Sequence, residues 1–190
     1  MIGMSGTAIH RSTSIFRHLP AVEDGSRPAK SELVRAGLAY WHRIRRDRPM
    51  PSRTDLSPMD IPDLLPYVML IDVWCNPLDF SFRLLGTEHD QIVGGDYRGR
   101  RFSSLAHTAP GNPIWDQYAQ VVADRRPVWG EVSYVGRDEQ VLRRFEHALM
   151  PLSCDGATVD LIFVVSAIDR TVSSALPLSK RIVLRRTDAR

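Results

Sequence analysis

Apolar and polar positions first fall into a helical rhythm at Ser31. In "SELVRAGLAYWHRIRRDR", Val34, Leu38, Trp41 and Ile44 recur at helical spacing. The pattern predicts an amphipathic helix over 31–48 with Ser31 as its N-cap. Its arginine-rich end suits the negative pole of the helix dipole, and Pro49 and Pro51 stop it. In "PSRTDLSPMDIPDLLPYV", Ser57, Pro58 and Asp60 read as a cap, a first-turn proline and an acid over the N-terminus. Pro62 biases Ile61 away from helical geometry, so two short turns are expected there instead of one long helix.

The rhythm then changes to strands. "YVMLIDVWC" and "FSFRLLG" flank the turn "NPLD" and predict an antiparallel hairpin, with Phe80, Phe82 and Leu84 alternating against Ser81 and Arg83. Glycines punctuate 87–105, where "TEHDQIVGG" reads as a short helix and "DYRGRRFSSL" as a bend and a second one. "NPIWDQYAQVVADRR" carries Trp115, Tyr118, Val121 and Val122 on one side of a helix that Pro127 ends. Three strands follow, in "PVWGEVSYV", "QVLRRFEHALMPL" and "TVDLIFVVSAI". Residues 1–30 lack sustained periodicity and read as a flexible leader; 171–190 reads as a basic tail with an apolar patch at Ile182–Leu184. With no β-α-β alternation, the expected fold is α+β: a five-stranded antiparallel sheet with helices on one face, preceded by the N-terminal helix.

Composition narrows the function classes. The 190 residues are 43% hydrophobic and 25% charged, as in an ordinary soluble domain, and no apolar run reaches a membrane span. The net charge is +3, and arginine supplies nearly all of the basic charge. Its clusters, Arg43 to Arg48 and Lys180 to Arg190, lack the interleaved aromatics or the reading helix of a nucleic-acid face. No nucleic acid is therefore expected as a partner. Two cysteines, Cys75 and Cys154, cannot build a disulfide framework and read as free thiols in a reducing cytoplasm.

The order of elements, Trp41, "PSRTDLSPMDIPDLLPYVMLIDVW" (51–74), "FRLLGTE" (82–88), "GGDYRGRRFSSL" (94–105) and "LMPLSCDG" (149–156) together resemble a PAS domain. More narrowly, they resemble short bacterial PAS proteins with a "PSRxDxxPxDxPxLLP" segment. The resemblance spans about 31–170. It implies a sensory or interaction module without catalytic residues, often dimeric through its N-terminal helix, with Val34, Leu38 and Trp41 as part of a dimer face. Packing of that helix on its own sheet is the competing use. The resemblance also implies a small cavity between sheet and helices, here lined by Phe82, Leu84, Trp115, Tyr118, Trp129, Phe145 and His147. The alternative is that these side chains simply fill the core. Haem is disfavoured because 111–126 contains no histidine, and flavin because "GTEHDQIVGG" contains no reactive cysteine. The resemblance would also bring Cys75 and Cys154 near each other, a possible redox pair.

Other candidate chemistry is weaker. His89 and Asp90 are adjacent, so they diverge on a helix or a strand and cannot form a relay; a surface pair is expected. The glycines at 86, 94, 95 and 99 fit neither a dinucleotide fingerprint nor a phosphate loop, and "GGDY" matches a cyclase signature by coincidence. An enzyme would need a pocket acid or histidine, for which Asp72 and Glu146-His147 are the candidates. Three readings result: a cytoplasmic, non-catalytic sensory module taking a small apolar metabolite or a protein partner, a small α+β enzyme, and a ligand-free assembly module.

Overall fold

The computed structural model of the chain describes residues 17–18, 29–93, 97–135 and 142–169. The expected leader and tail lie outside these, except for Arg17, His18, Ala29 and Lys30. Helix α1 is Glu32–Arg45, and the hydroxyl of its cap, Ser31, accepts the N–H of Leu33 at 3.2 Å. Of its predicted apolar side Val34 and Trp41 are buried and Leu38 and Ile44 half-buried, and Tyr40 is buried as well. At the far end Arg48 donates to the carbonyls of Ile44 (2.9 Å) and Arg45 (3.3 Å). The arginines there do more than answer the dipole: one occupies carbonyls that a helix end leaves open.

The proline-rich segment folds as three 3-10 turns, Arg53–Asp55, Pro58–Asp60 and Pro62–Tyr67. Ile61 interrupts them at φ −135° and ψ 42°, outside the helical region that Pro62 disfavours for its predecessor. The Ser57 hydroxyl does not cap as expected. Its backbone N–H instead donates to the Tyr40 hydroxyl at 2.8 Å, which ties the turns to α1.

Five long strands follow: β2 (Val68–Cys75), β3 (Leu78–Leu85), β4 (Val128–Val135), β5 (Leu142–Leu152) and β6 (Leu161–Asp169). They pair antiparallel in the order β4-β5-β6-β2-β3. A two-residue strand, β1 (Arg17–His18), adds to the free edge of β4 opposite Ser133 and Val132. These two positions therefore have a partner in the sheet, although the sequence pattern assigns them to the leader. Helix α2 is Thr87–Val93 and α3 is Pro113–Asp124. In α3, Asn112 caps the N–H of Ile114 at 3.1 Å, Pro113 fills the first position, and left-handed Arg125 closes the end on Val121. Among the described residues no helix is long and apolar enough to cross a membrane.

The sheet is covered on both sides. Phe163, Val165 and Met150 face α1, where Tyr40 meets Phe163 edge-on at 6.2 Å. A Cβ on Gly37 would lie 2.7 Å from the Val165 side chain, so glycine sets how close helix and sheet come. Strand positions of opposite parity, including Phe80, Phe82, Ile162, Val164 and Leu149, face α3. This second face holds the candidate site.

Candidate functional site

Strand register decides which side chains reach the α3 face. Phe82 pairs with Ile71, Ile71 with Ile162, and Ile162 with Pro151, so His147 and Ser166, which pair with each other, share their side. Phe80 and Phe82 enter an aromatic cluster with Phe102, Trp115 and Tyr118. Ring centroids are 4.7 Å apart for Phe82–Phe102, 4.9 Å for Phe102–Tyr118, 5.1 Å for Phe80–Trp115 and 5.5 Å for Phe80–Tyr118. These tilted and edge-on contacts pack the β3 end of the space under α3.

Polar groups collect elsewhere on that face and helix. Gln117 is 3% exposed, Ser166 3% and His147 9%, and both the Oε1 of Gln117 and the Nε2 of His147 are buried from solvent. Burial also pushes the Tyr118 phenol far above its ordinary value, so it stays a neutral O–H. Of the expected lining residues, Phe82, Trp115 and Tyr118 thus sit in the ring cluster. His147 and half-buried Phe145 lie on the same face, toward β5.

Two expected lining residues do not belong to this face. Leu84 is 40% exposed because Arg83 is an extra residue between the pairs Ile71–Phe82 and Leu70–Leu84. Such a bulge turns everything after it to the other side, and Leu85 takes the buried position. Trp129 pairs with Ala148 while Gly130 pairs with His147, which puts the tryptophan on the α1 side.

The residues expected to form a dimer face on α1 pack within the protomer. Val34 is fully buried and Trp41 is 2% exposed within the protomer, and Trp41 Nε1 donates to the Pro151 carbonyl of β5 at 2.8 Å. Both are occupied by the protein's own sheet; Leu38 is half-buried against the same core. The start of α1 is held too. The Glu146 carboxylate accepts the backbone N–H of Lys30 (2.7 Å) and of Ser31, and Lys30 Nζ pairs with Glu131 of β4 at 2.6 Å. Sequence reasoning missed this role for Glu146. Its only signal is a charge at a strand position whose neighbours Phe145 and His147 face the other way.

The proposed acid-base groups have other work. Glu146 and His147 point to opposite faces and cannot act as a pair, and Asp72 bridges to Arg83 at 2.9 Å on the surface. His89 is not a surface residue: it is 6% exposed, and its Nε2 lies 3.2 Å from the Tyr67 carbonyl. Burial lowers its pKa. Burial alone would raise Asp79, but hydrogen bonds from Ser103, the Phe80 N–H and Arg101 outweigh it and hold the carboxyl low. That buried acid anchors the 101–104 segment to the β2–β3 turn.

Cys75 and Cys154 are exposed free thiols, and the hydrogen bond and charge of Asp160 raise the pKa of Cys154. Among the described residues no group of three or more His, Cys, Asp or Glu is placed to hold a metal ion.

Within the stretch 82–100, Gly94 and Gly95 lie outside the described residues, and the part around Gly86 is a structural corner. The Gly86 N–H donates to the Val68 carbonyl at 2.7 Å, and a Cβ there would collide with the backbone oxygens of Pro66 and Leu65. Only glycine lets the chain pass so close to the turn preceding β2.

A search of characterised proteins finds none that matches the chain. A family model described as a PAS domain matches residues 29–165, from the residue before Lys30 to the middle of β6. This span takes in α1, α2, α3 and the five-stranded sheet as far as Val165. The chain belongs to the PAS domain family.

Proposed function

We propose that this PAS domain is a sensory module that takes a small, mostly apolar ligand carrying one hydrogen-bonding group, and passes occupancy to α1 through β5. The supporting observation is the burial of His147 and Ser166 on an otherwise apolar sheet face beside α3, with Gln117 buried on the helix. A few convergent polar groups among apolar walls are what orient a small ligand. The route outward is one residue long, because His147 on the inner face adjoins Glu146, which grips the start of α1. A ligand that shifts β5 at His147 would bias the position of α1, and a dimer or partner reading that helix would receive the signal.

A second reading, a ligand-free assembly module, draws on the ring cluster of Phe80, Phe82, Phe102, Trp115 and Tyr118, which packs directly. Native mass spectrometry of the purified protein separates the two. The sensory reading expects a stoichiometric small molecule that is lost in a folded His147→Ala variant. Ligand retained in that variant refutes the site, and a ligand-free mass together with a captured protein partner favours assembly.

A further inference from the structure

On the opposite side of the molecule α1 and the Asp60–Leu64 segment form an open groove of about 570 Å³. Its walls are apolar at Leu33, Ala36, Ala39 and Ile61, and both alanines are exposed. Its rim carries three acids: Asp63 is exposed, exposed Glu32 lies 3.8 Å from Arg35, and Asp60 pairs with Arg43, the one base in the lining, at 3.3 Å. The groove therefore suits an apolar segment flanked by positive charge.

The chain carries such a segment. "KRIVLRR" (180–186) sets Ile182, Val183 and Leu184 between Lys180-Arg181 and Arg185-Arg186. Topology brings it to the correct end of the sheet. β6 leaves the sheet at Asp169, and Ala167 just before it pairs with Glu146, which holds the start of α1. Val165 pairs with Val68, the residue into which the Pro62–Tyr67 turn runs. Both walls of the groove thus begin where β6 exits. The 11 residues from Asp169 to Lys180 can span up to about 36 Å, more than the roughly 21 Å length of a 14-residue helix. A second copy packed groove to groove would bring the same acids and meet repulsion, and the short tether gives a chain's own segment a higher effective concentration at the groove than a second copy's.

We propose that residues 180–186 dock into this groove in cis, covering the exposed side of α1 and competing with any partner that reads the helix there. The proposal is independent of the ligand reading, because the groove and the proposed ligand site lie on opposite faces of the sheet.

The test is a spin label on Val183→Cys in the full chain with Cys75→Ser and Cys154→Ser, read by amide signals in NMR spectra. Docking in cis predicts intensity loss at Leu33, Ala36, Ala39 and Ile61. The loss should weaken with added salt and in the Asp63→Lys variant, where the circular dichroism spectrum checks the fold. No loss at these amides overturns the proposal. Isotope-labelled chain mixed with unlabelled, spin-labelled chain tests the other occupant. Loss that appears in that mixed sample as well overturns the cis arrangement and assigns the groove to a second copy.

Discussion

Glu146 on β5 accepts the backbone N–H of Ser31, the cap of α1, so a single carboxylate joins the sheet to the start of its N-terminal helix. It also accepts from Lys30 at 2.7 Å. Glu146→Ala leaves both donors without this acceptor and is expected to cost about 1–3 kcal/mol in denaturant unfolding. Hydrogen exchange should rise over residues 31–36 while β5 and β6 keep their protection. Unchanged exchange at the helix start would show that the carboxylate does not hold it.

Trp41→Phe tests the second attachment. The ring still fills most of the space, but the Nε1–H that reaches the Pro151 carbonyl is gone. A buried acceptor left unmet costs about 1–3 kcal/mol. Urea midpoints of the two proteins measure it, and equal midpoints would mean that packing alone holds this turn of α1.

Gly86→Ala and Gly99→Ala separate crowding from backbone strain. At Gly86 the added methyl meets two backbone oxygens, so a loss of about 3 kcal/mol is expected, the upper part of the overpacking range. At Gly99 the surroundings are open and only the positive φ of 75° opposes alanine, at about 1–2 kcal/mol. Thermal or urea unfolding should rank Gly86→Ala as the more damaging; the reverse order would refute the close passage of the corner.

Buried histidine gives stability a pH dependence with a definite sign. His89 has its folded pKa lowered below the ordinary 6.5, so the unfolded chain binds a proton more readily. Its contribution is complete above pH 6.5 and is lost as the pH falls from there through the lower folded value. His89→Gln should flatten part of this acid loss in urea titrations between pH 7.5 and about 5. His107, lowered by burial, and His42, lowered by burial and by Arg45, sustain the rest. An identical pH profile in the variant would argue against a neutral buried His89.

Helices and strands were legible because their signals are local. Ser31 caps α1 as its position in the sequence predicts, but the helices stop a few residues before the prolines expected to end them, α1 at Arg45 ahead of Pro49 and α3 at Asp124 ahead of Pro127. What the sequence could not show is which side a strand residue faces. Leu84 continues the alternation of Phe80 and Phe82, yet the extra residue Arg83 reverses it, and only the partner strand reveals a bulge. Trp129 and His147 pose the same difficulty. With α1 on one face and α3 on the other, β5 buries both Ala148 and Leu149, so its apolar run carries no marker of inside and outside. The burial of His89 was hidden for a related reason, since its acceptor, Tyr67, lies 22 positions earlier.

The two ties between α1 and β5 also fix a ratio. Ser31 and Trp41 are ten residues apart on the helix, about 15 Å, while Glu146 and Pro151 are five apart on the strand, about 17 Å. Helix and strand are thus geared at two residues to one, with Gly37 and Val165 as the fulcrum between the ties. While both ties hold, a slip of β5 is expected to draw both ends of α1 with it.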